Sequence, residues 1–269
     1  MKDRFISKSD AKDIFRRCNE ELPLALALIR SLECKQFNKF EYKRPVLDLG
    51  CGDGLFSKIL FEDKTDCGVD ITLDFLKKAK RKGSFHLGCQ SDATELPFKD
   101  NSFNSVISNC VIEHIDNIDR LFQEVNRILK PGGIFVFTTH THQYNDFLFY
   151  SNLFYRMHLK SLGKRYEIFI NSVFKHFNCL HPDIWVNKLE KVGLDKKHLS
   201  YYYGPKVQKI FDFLVPFTFF RYLLWKKTGR WFLFGKNVFA PFQNRLFQWV
   251  YNENPELSSA IVVKSVNPR

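Results

Sequence analysis

The most constraining stretch of this chain is Val46-Leu47-Asp48-Leu49-Gly50-Cys51-Gly52-Asp53-Gly54, where a short apolar run ends in three glycines and Leu55 to Phe61 then takes up helical spacing. A strand that turns through glycines into a helix, followed by the second strand-like run Cys67 to Ile71, is a βαβ unit, and such a unit requires a parallel sheet. Glycines at the turn permit positive φ and let a ligand approach the backbone closely. The spacing is G-x-G-x-G, and Leu55 stands where a dinucleotide-binding loop needs its third glycine. Asp48, two positions before Gly50, also suits a cationic ligand better than a pyrophosphate.

The alternation continues through helix Leu73 to Lys82, strand Phe85 to Gly88, strand Ser105 to Ser108 and helix Ile118 to Leu129. Pro131-Gly132-Gly133 reads as a stop before strand Ile134 to Thr138, and helix Asp183 to Val192 and strands Leu199 to Tyr203 and Ala260 to Val266 complete the set. Short strands alternating with helices predict an α/β fold with a mainly parallel sheet covered on both faces. Residues 1–44 read as two helices, with Ser9 and Asp10 as caps and a break at Pro23, forming an N-terminal lid. The expected divisions are a core at 45–140, an aromatic helical region with the rest of the sheet at 141–204, a cap insertion at 205–257 and a final strand within 258–269.

From Asp48 to Gly54, through Asp70, Ser91-Asp92-Ala93 and Ser108-Asn109-Cys110, to Val111-Ile112-Glu113-His114 and Leu129-Lys130-Pro131-Gly132-Gly133, the ordered elements resemble those of class I S-adenosylmethionine-dependent methyltransferases, in particular the small-molecule, type 11-like members. The resemblance covers about residues 44–140. It implies a Rossmann-like, doubly wound sheet of seven strands, mainly parallel with an antiparallel last strand, and S-adenosylmethionine as cofactor. Asp48, Gly50, Cys51, Gly52 and Gly54 would form the cofactor turn, with Asp70 on the ribose hydroxyls and Ile71 beside it. A carboxylate only accepts, so it can take two hydroxyl donors at once. Asp92 and Ala93 would recognise adenine, and Asn109 would face the methionine end. Thr72 is the expected N-cap of the following helix, which frees Asp70 from that role.

A methyl acceptor that carries a proton needs a base, and histidine is best matched to that task near neutrality. Three candidates should emerge at the carboxyl edge of the sheet: His114 in the Glu-His element, and His140 and His142 beyond the fifth strand. In the quinone O-methyltransferase branch a further acid, three positions before the Glu, is associated with a divalent metal. Cys110 occupies that position here, so no metal is expected.

The net charge of +12 is concentrated in residues 141–269, which carry 19 basic against 8 acidic side chains. Within 205–257, aromatic residues from Phe211 to Tyr251 alternate with basic ones from Lys206 to Arg245. That composition suits an anionic membrane surface and a lipid-like or other hydrophobic small-molecule acceptor. A competing reading is an RNA methyltransferase, because basic residues neutralise phosphates and aromatics stack on bases. Against nucleic acid, the fourth strand ends in Ser-Asn-Cys-Val rather than the Asn/Asp-Pro-Pro-aromatic element of many base methyltransferases. A third reading is a cofactor-binding protein without catalysis. Seven scattered cysteines without a C-x-x-C pair suggest reduced thiols of a cytoplasmic protein, peripheral at the inner face of a membrane if the insertion docks there.

Overall fold

The structure is a computed structural model that describes residues 10–228, 240–253 and 255–269, with backbone alone at 219–228 and 240. Seven strands form one sheet: β1 (Val46–Leu49), β2 (Thr65–Asp70), β3 (Phe85–Gln90), β4 (Phe103–Asn109), β5 (Leu129–His140), β6 (Asp195–Tyr201) and β7 (Ala260–Val266). Their order is β3-β2-β1-β4-β5-β7-β6, with β7 antiparallel to both neighbours and the β1 to β5 pairings all parallel. The expected doubly wound, mainly parallel seven-stranded sheet with an antiparallel last strand is the fold observed.

Both faces are buried, and the strands show it by alternation. Val46, Ile107, Val136 and Val262 pack on one side with helices α1 (Ala11–Glu21), α2 (Leu24–Phe37), α3 (Leu55–Leu60), α9 (Pro205–Thr228) and α10 (Ala240–Tyr251). Their neighbours Leu47, Val106, Phe135, Phe137 and Val263 face the other side, against α5 (Ile118–Ile128) and α8 (Pro182–Lys191). In α5 the buried residues Ile118, Leu121, Phe122, Val125 and Ile128 recur at helical spacing, and the Asn117 side chain caps its start by accepting from the Arg120 N–H at 3.1 Å. Phe122 packs among Phe135, Phe137 and Trp185; burying a side chain of that size contributes about 1.5–3 kcal/mol. In the N-terminal helices, Ile14, Phe15, Cys18, Leu28 and Phe37 share one core with the sheet, and Phe15 stacks on Phe247 at 4.4 Å.

Three boundaries differ from the expectations. Pro131-Gly132-Gly133 does not precede β5 but bulges within it: Phe103 pairs with Leu129 while Ser105 pairs with Ile134. Asn267, beyond β7, takes up the bulge's backbone groups through Gly132 N–H to Asn267 O at 2.8 Å and Asn267 N–H to Gly133 O at 2.9 Å. Strand β6 begins at Asp195 rather than Leu199, because a sheet edge tolerates the exposed Lys196 and Lys197 that hide its alternation. It ends before Tyr202 and Tyr203, which turn inward ahead of Pro205 at the start of α9. Two helices follow β5: α6 (Phe149–Arg156) and α7 (Lys160–Phe174), a hairpin closed where the Tyr155 ring lies against Gly163. Helix α4 (Leu73–Lys82) joins β2 to β3.

Of the aromatic and basic insertion, Phe219, Phe220, Arg221, Tyr222, Trp225, Lys226, Lys227, Arg230, Trp231, Phe232, Phe234, Lys236 and Phe239 have side chains outside the described residues. The described part of α9 is less a surface cap than expected: Val207 and Phe211 enter the core, and buried Asp212 accepts from the Tyr150 N–H at 3.0 Å and from the Tyr166 hydroxyl. Among the described residues no helix is long and apolar enough to cross a membrane.

Candidate cofactor and acceptor site

The glycine turn leaves β1 with Gly50 at φ 74° and Gly52 at φ 53°, a region L side chains rarely adopt. The Gly50 and Cys51 N–H groups both donate to Val69 O, at 2.8 and 2.9 Å, which ties the turn to the end of β2. A Cβ at Gly50 would lie 2.5 Å from the Val111 methyls, whereas one at Gly52 would meet nothing within 4 Å. Gly50 therefore serves a close packing contact and Gly52 faces open space.

Asp70 ends β2 beside this turn, and its carboxylate accepts from Gly52 N–H at 2.9 Å and from Thr72 N–H at 2.8 Å. Thr72 occupies the N-cap position but makes no side-chain cap bond; Asp70 supplies the local acceptor instead. Each Asp70 oxygen retains a lone pair for a hydroxyl donor. Past β3, Asp92 accepts from the Thr94 N–H and hydroxyl, both at 2.8 Å. Its loop is pinned from α5, where Glu124 accepts from Leu96 N–H at 2.9 Å and Arg127 donates to Leu96 O at 2.9 Å and Phe98 O at 2.7 Å.

These residues surround a cleft of about 400 Å³ lined by Gly50, Val69, Asp70, Ile71, Ser91, Asp92, Ala93, Thr94, Val111, His114, Ile115, Asp116 and Asn117. A second cleft of about 220 Å³ is lined by Leu22, Arg30, Asp48, Gly50, Cys51, Gly52, Asp53, Leu55, Phe56, Asn109, Cys110 and Val111. The two share Gly50 and Val111, so one elongated ligand can run across the glycine turn. The ten expected cofactor residues divide between them, except Gly54, which lines neither and caps α3.

Asp48 is buried beneath the second cleft and accepts from the Ser57 hydroxyl. Burial pushes its carboxyl up to about 7, with the nearby Asp70 adding to the rise and Ser57 and Arg30 opposing it. A carboxylate so placed gains from a cation above it. Asn109 is held by α2: its amide donates to Glu33 at 2.8 Å and its carbonyl accepts from the Thr138 hydroxyl at 2.8 Å. Buried Glu33 also pairs with Arg30 at 2.7 Å and accepts from the Cys110 thiol at 3.2 Å. Sequence reasoning missed Glu33 and Arg30; the available signal was an Arg-x-x-Glu pair in an otherwise Leu- and Ala-rich helix.

The three histidines occupy different surroundings. His114, exposed at the mouth of the larger cleft, hydrogen-bonds through Nδ1 to the Lys175 carbonyl at 2.8 Å. A carbonyl only accepts, so Nδ1 carries the proton and Nε2 of the neutral ring keeps its lone pair. His140 lines neither cleft and pairs through Nδ1 with the fully buried Glu113 at 2.8 Å, the other Glu113 oxygen having no partner among the described residues. His176 lies against both rings, 5.7 Å from His114 and 4.5 Å from His140. Burial, with those two neighbours, pushes His176 down to about 2 and keeps it neutral. His142 is exposed, lies tilted against the His181 ring at 4.6 Å and is not brought to either cleft. The Cys110 thiol is pushed well above its usual range by burial and by Glu33, so it is no nucleophile. Among the described residues no cluster of three or more His, Cys, Asp or Glu side chains is arranged to hold a metal. All seven cysteines are free thiols.

Residues 47–137 match the family model of a methyltransferase domain. A malonyl-[acyl-carrier protein] O-methyltransferase of Legionella pneumophila is 29% identical over 120 residues, 41% of this chain and 42% of that protein. A human mitochondrial arginine hydroxylase is 32% identical over 94 residues, 34% of this chain and 27% of its own length. The chain thus spans well under half the length of these curated relatives. A SAM-dependent methyltransferase of Thermotoga maritima, described as a possible histamine N-methyltransferase, shares the fold with a TM-score of 0.56 at 16% identity over 91% of each chain. Over residues 47–137 the chain is thus similar to methyltransferase domains, and its sheet order and glycine turn are those expected of the class I S-adenosylmethionine-dependent fold.

Proposed function

We propose that this chain transfers a methyl group from S-adenosylmethionine to a small, hydrophobic or lipid-linked acceptor, with His114 taking the acceptor's proton. The observation that carries the reading is the presence of the His114 ring in the same cleft as Asp70 and Asp92. The residues present fit the cofactor: Asp70 has acceptors for ribose hydroxyls, Asp92 and Ala93 flank the adenine side, and Arg30 in the second cleft offers a cation for the methionine carboxylate. When bound, the cofactor supplies a sulfonium methyl, an electrophile that needs no activation by the protein.

The protein's part is positioning and proton removal. An acceptor O–H or N–H gives its proton to His114 Nε2, and the resulting imidazolium is stabilised by the Lys175 carbonyl at Nδ1. The hydrogen bond from His140 to Glu113 supports a second reading, in which that pair supplies the base. Lipid, glycan, RNA and protein fractions of cell extract, incubated with the chain and cofactor carrying a labelled methyl, identify the acceptor. Label in the lipid fraction supports the proposal, and label in RNA replaces it. His114→Asn should keep cofactor affinity and lower turnover by about 10²–10⁴. Unchanged turnover in that variant with loss in His140→Asn would move the base to the buried pair.

A further inference from the structure

We propose that the α6–α7 hairpin, residues 149–177, is the surface that docks the chain on an anionic lipid membrane. Large apolar side chains are normally scattered on a surface, and a concentration of them marks an interaction face. Here Leu153, Met157, Leu159, Leu162, Ile168, Phe169, Val173 and Phe177 are all exposed within twenty-five residues. On α7 the spacing of Leu162, Arg165, Phe169 and Val173 puts them along one outer stripe, while Gly163, Glu167 and Ile170 form a separate, buried stripe. The helix is therefore apolar on two faces, and the core uses only one.

Charge names the occupant. Residues 149–177 contain Arg156, Lys160, Lys164, Arg165 and Lys175, all exposed, and one acid, Glu167. Glu167 is turned inward and accepts from Ser151 at 2.8 Å, Tyr155 at 2.7 Å and Lys164 at 3.1 Å. Every outward charge on the hairpin is thus positive, around apolar side chains long enough to reach below headgroups. Cations that snorkel around buried apolar groups are how an interfacial helix binds anionic lipid. The face continues onto α9, where Phe213, itself exposed, meets the Phe149 ring at 5.3 Å.

The hairpin also reaches the site. Its last turn gives Lys175 O to His114, and the Phe177 and Asn178 N–H groups both donate to Glu113 O at 3.1 Å. A membrane-seated hairpin would hold the mouth of the cleft at the lipid surface. Only this direction of delivery rests on the lipid-linked acceptor proposed above; docking itself needs no acceptor.

Flotation of the full chain separates the two. The chain should float with vesicles of phosphatidylcholine containing roughly a third phosphatidylglycerol, and weakly with phosphatidylcholine alone. Ile168→Asp combined with Phe169→Asp, two exposed positions, should reduce bound fraction at least tenfold while leaving the circular dichroism spectrum and cofactor affinity unchanged. Lys160→Glu combined with Arg165→Glu should cost about fivefold per residue on anionic vesicles and little on neutral ones. Equal flotation of these variants and the unaltered chain overturns the proposal. So does a chain that ignores vesicles but forms dimers that the Ile168/Phe169 variant breaks, since the face would then join two copies. Flotation together with methylation of a water-soluble acceptor alone would keep the docking surface and discard the lipid-linked acceptor.

Discussion

Replacing Asp70 by Asn tests the cofactor reading at its best-defined point. The carboxylate already accepts one backbone N–H on each oxygen, from Gly52 and Thr72, and lines the cleft with one further lone pair per oxygen available to a ribose hydroxyl. An amide keeps a single acceptor atom. Its NH2 must then face either a backbone N–H or a hydroxyl that no longer has an anion to donate to. Hydrogen bonds to a charged group contribute about 1.5–3 kcal/mol, so the loss of one weakens binding by roughly 10- to 150-fold. Calorimetric titration with S-adenosylmethionine and with S-adenosylhomocysteine should show the same loss, because the ribose is common to both. Asp92→Asn, at an exposed loop position, should lose less. An Asp70→Asn protein that folds normally and binds within threefold of the unaltered chain would refute the assignment of Asp70 to the ribose.

The other predictions concern charge and the base. The unfolded Asp48 carboxyl titrates near 3.9, and burial holds the folded one at about 7. Its contribution is therefore fully present below about pH 4 and is lost as pH rises to 7, on the order of 3–4 kcal/mol. Asp48→Asn, which can still accept from Ser57, should flatten that decline in ligand-free thermal melts; parallel pH profiles would dispute the burial argument. His176 has the opposite sign: its folded value of about 2 lies below an unfolded value near 6.5. Stability is complete above 6.5 and falls as the medium is acidified, by about 3 kcal/mol near pH 4.5, and His176→Phe should remove that acid sensitivity in denaturant titrations. His142→Ala should leave turnover within about twofold on the acceptor identified with the labelled cofactor, since its ring lies outside both clefts.

Much of the frame was legible because it is local. The glycine turn, the apolar run before it and Asp70 at the end of the next strand lie within twenty-five residues, and period-two alternation marks the central strands. Less legible were features that depend on partners remote in the chain. Pro131-Gly132-Gly133 looks like a stop in isolation and becomes a bulge because Asn267, at the far end of the chain, satisfies it. Strand β6 hides behind two lysines that only an edge position permits. Glu33 meets Asn109 and Cys110 across more than seventy residues, a meeting no spacing rule encodes. The three histidines were equivalent as letters near strand ends; the Lys175 carbonyl, Glu113 and His181 make them different.

The bond network centred on Glu33 has a kinetic consequence. Because α2 carries both Arg30 at the second cleft and the carboxylate that holds Asn109, one side of that cleft depends on α2 being seated. If α2 must lift to free a ligand spanning the glycine turn, that motion should set the release rate. Bound cofactor should accordingly slow amide exchange along Leu24–Phe37, and weakening the α2 contacts should shorten residence time more than it slows association.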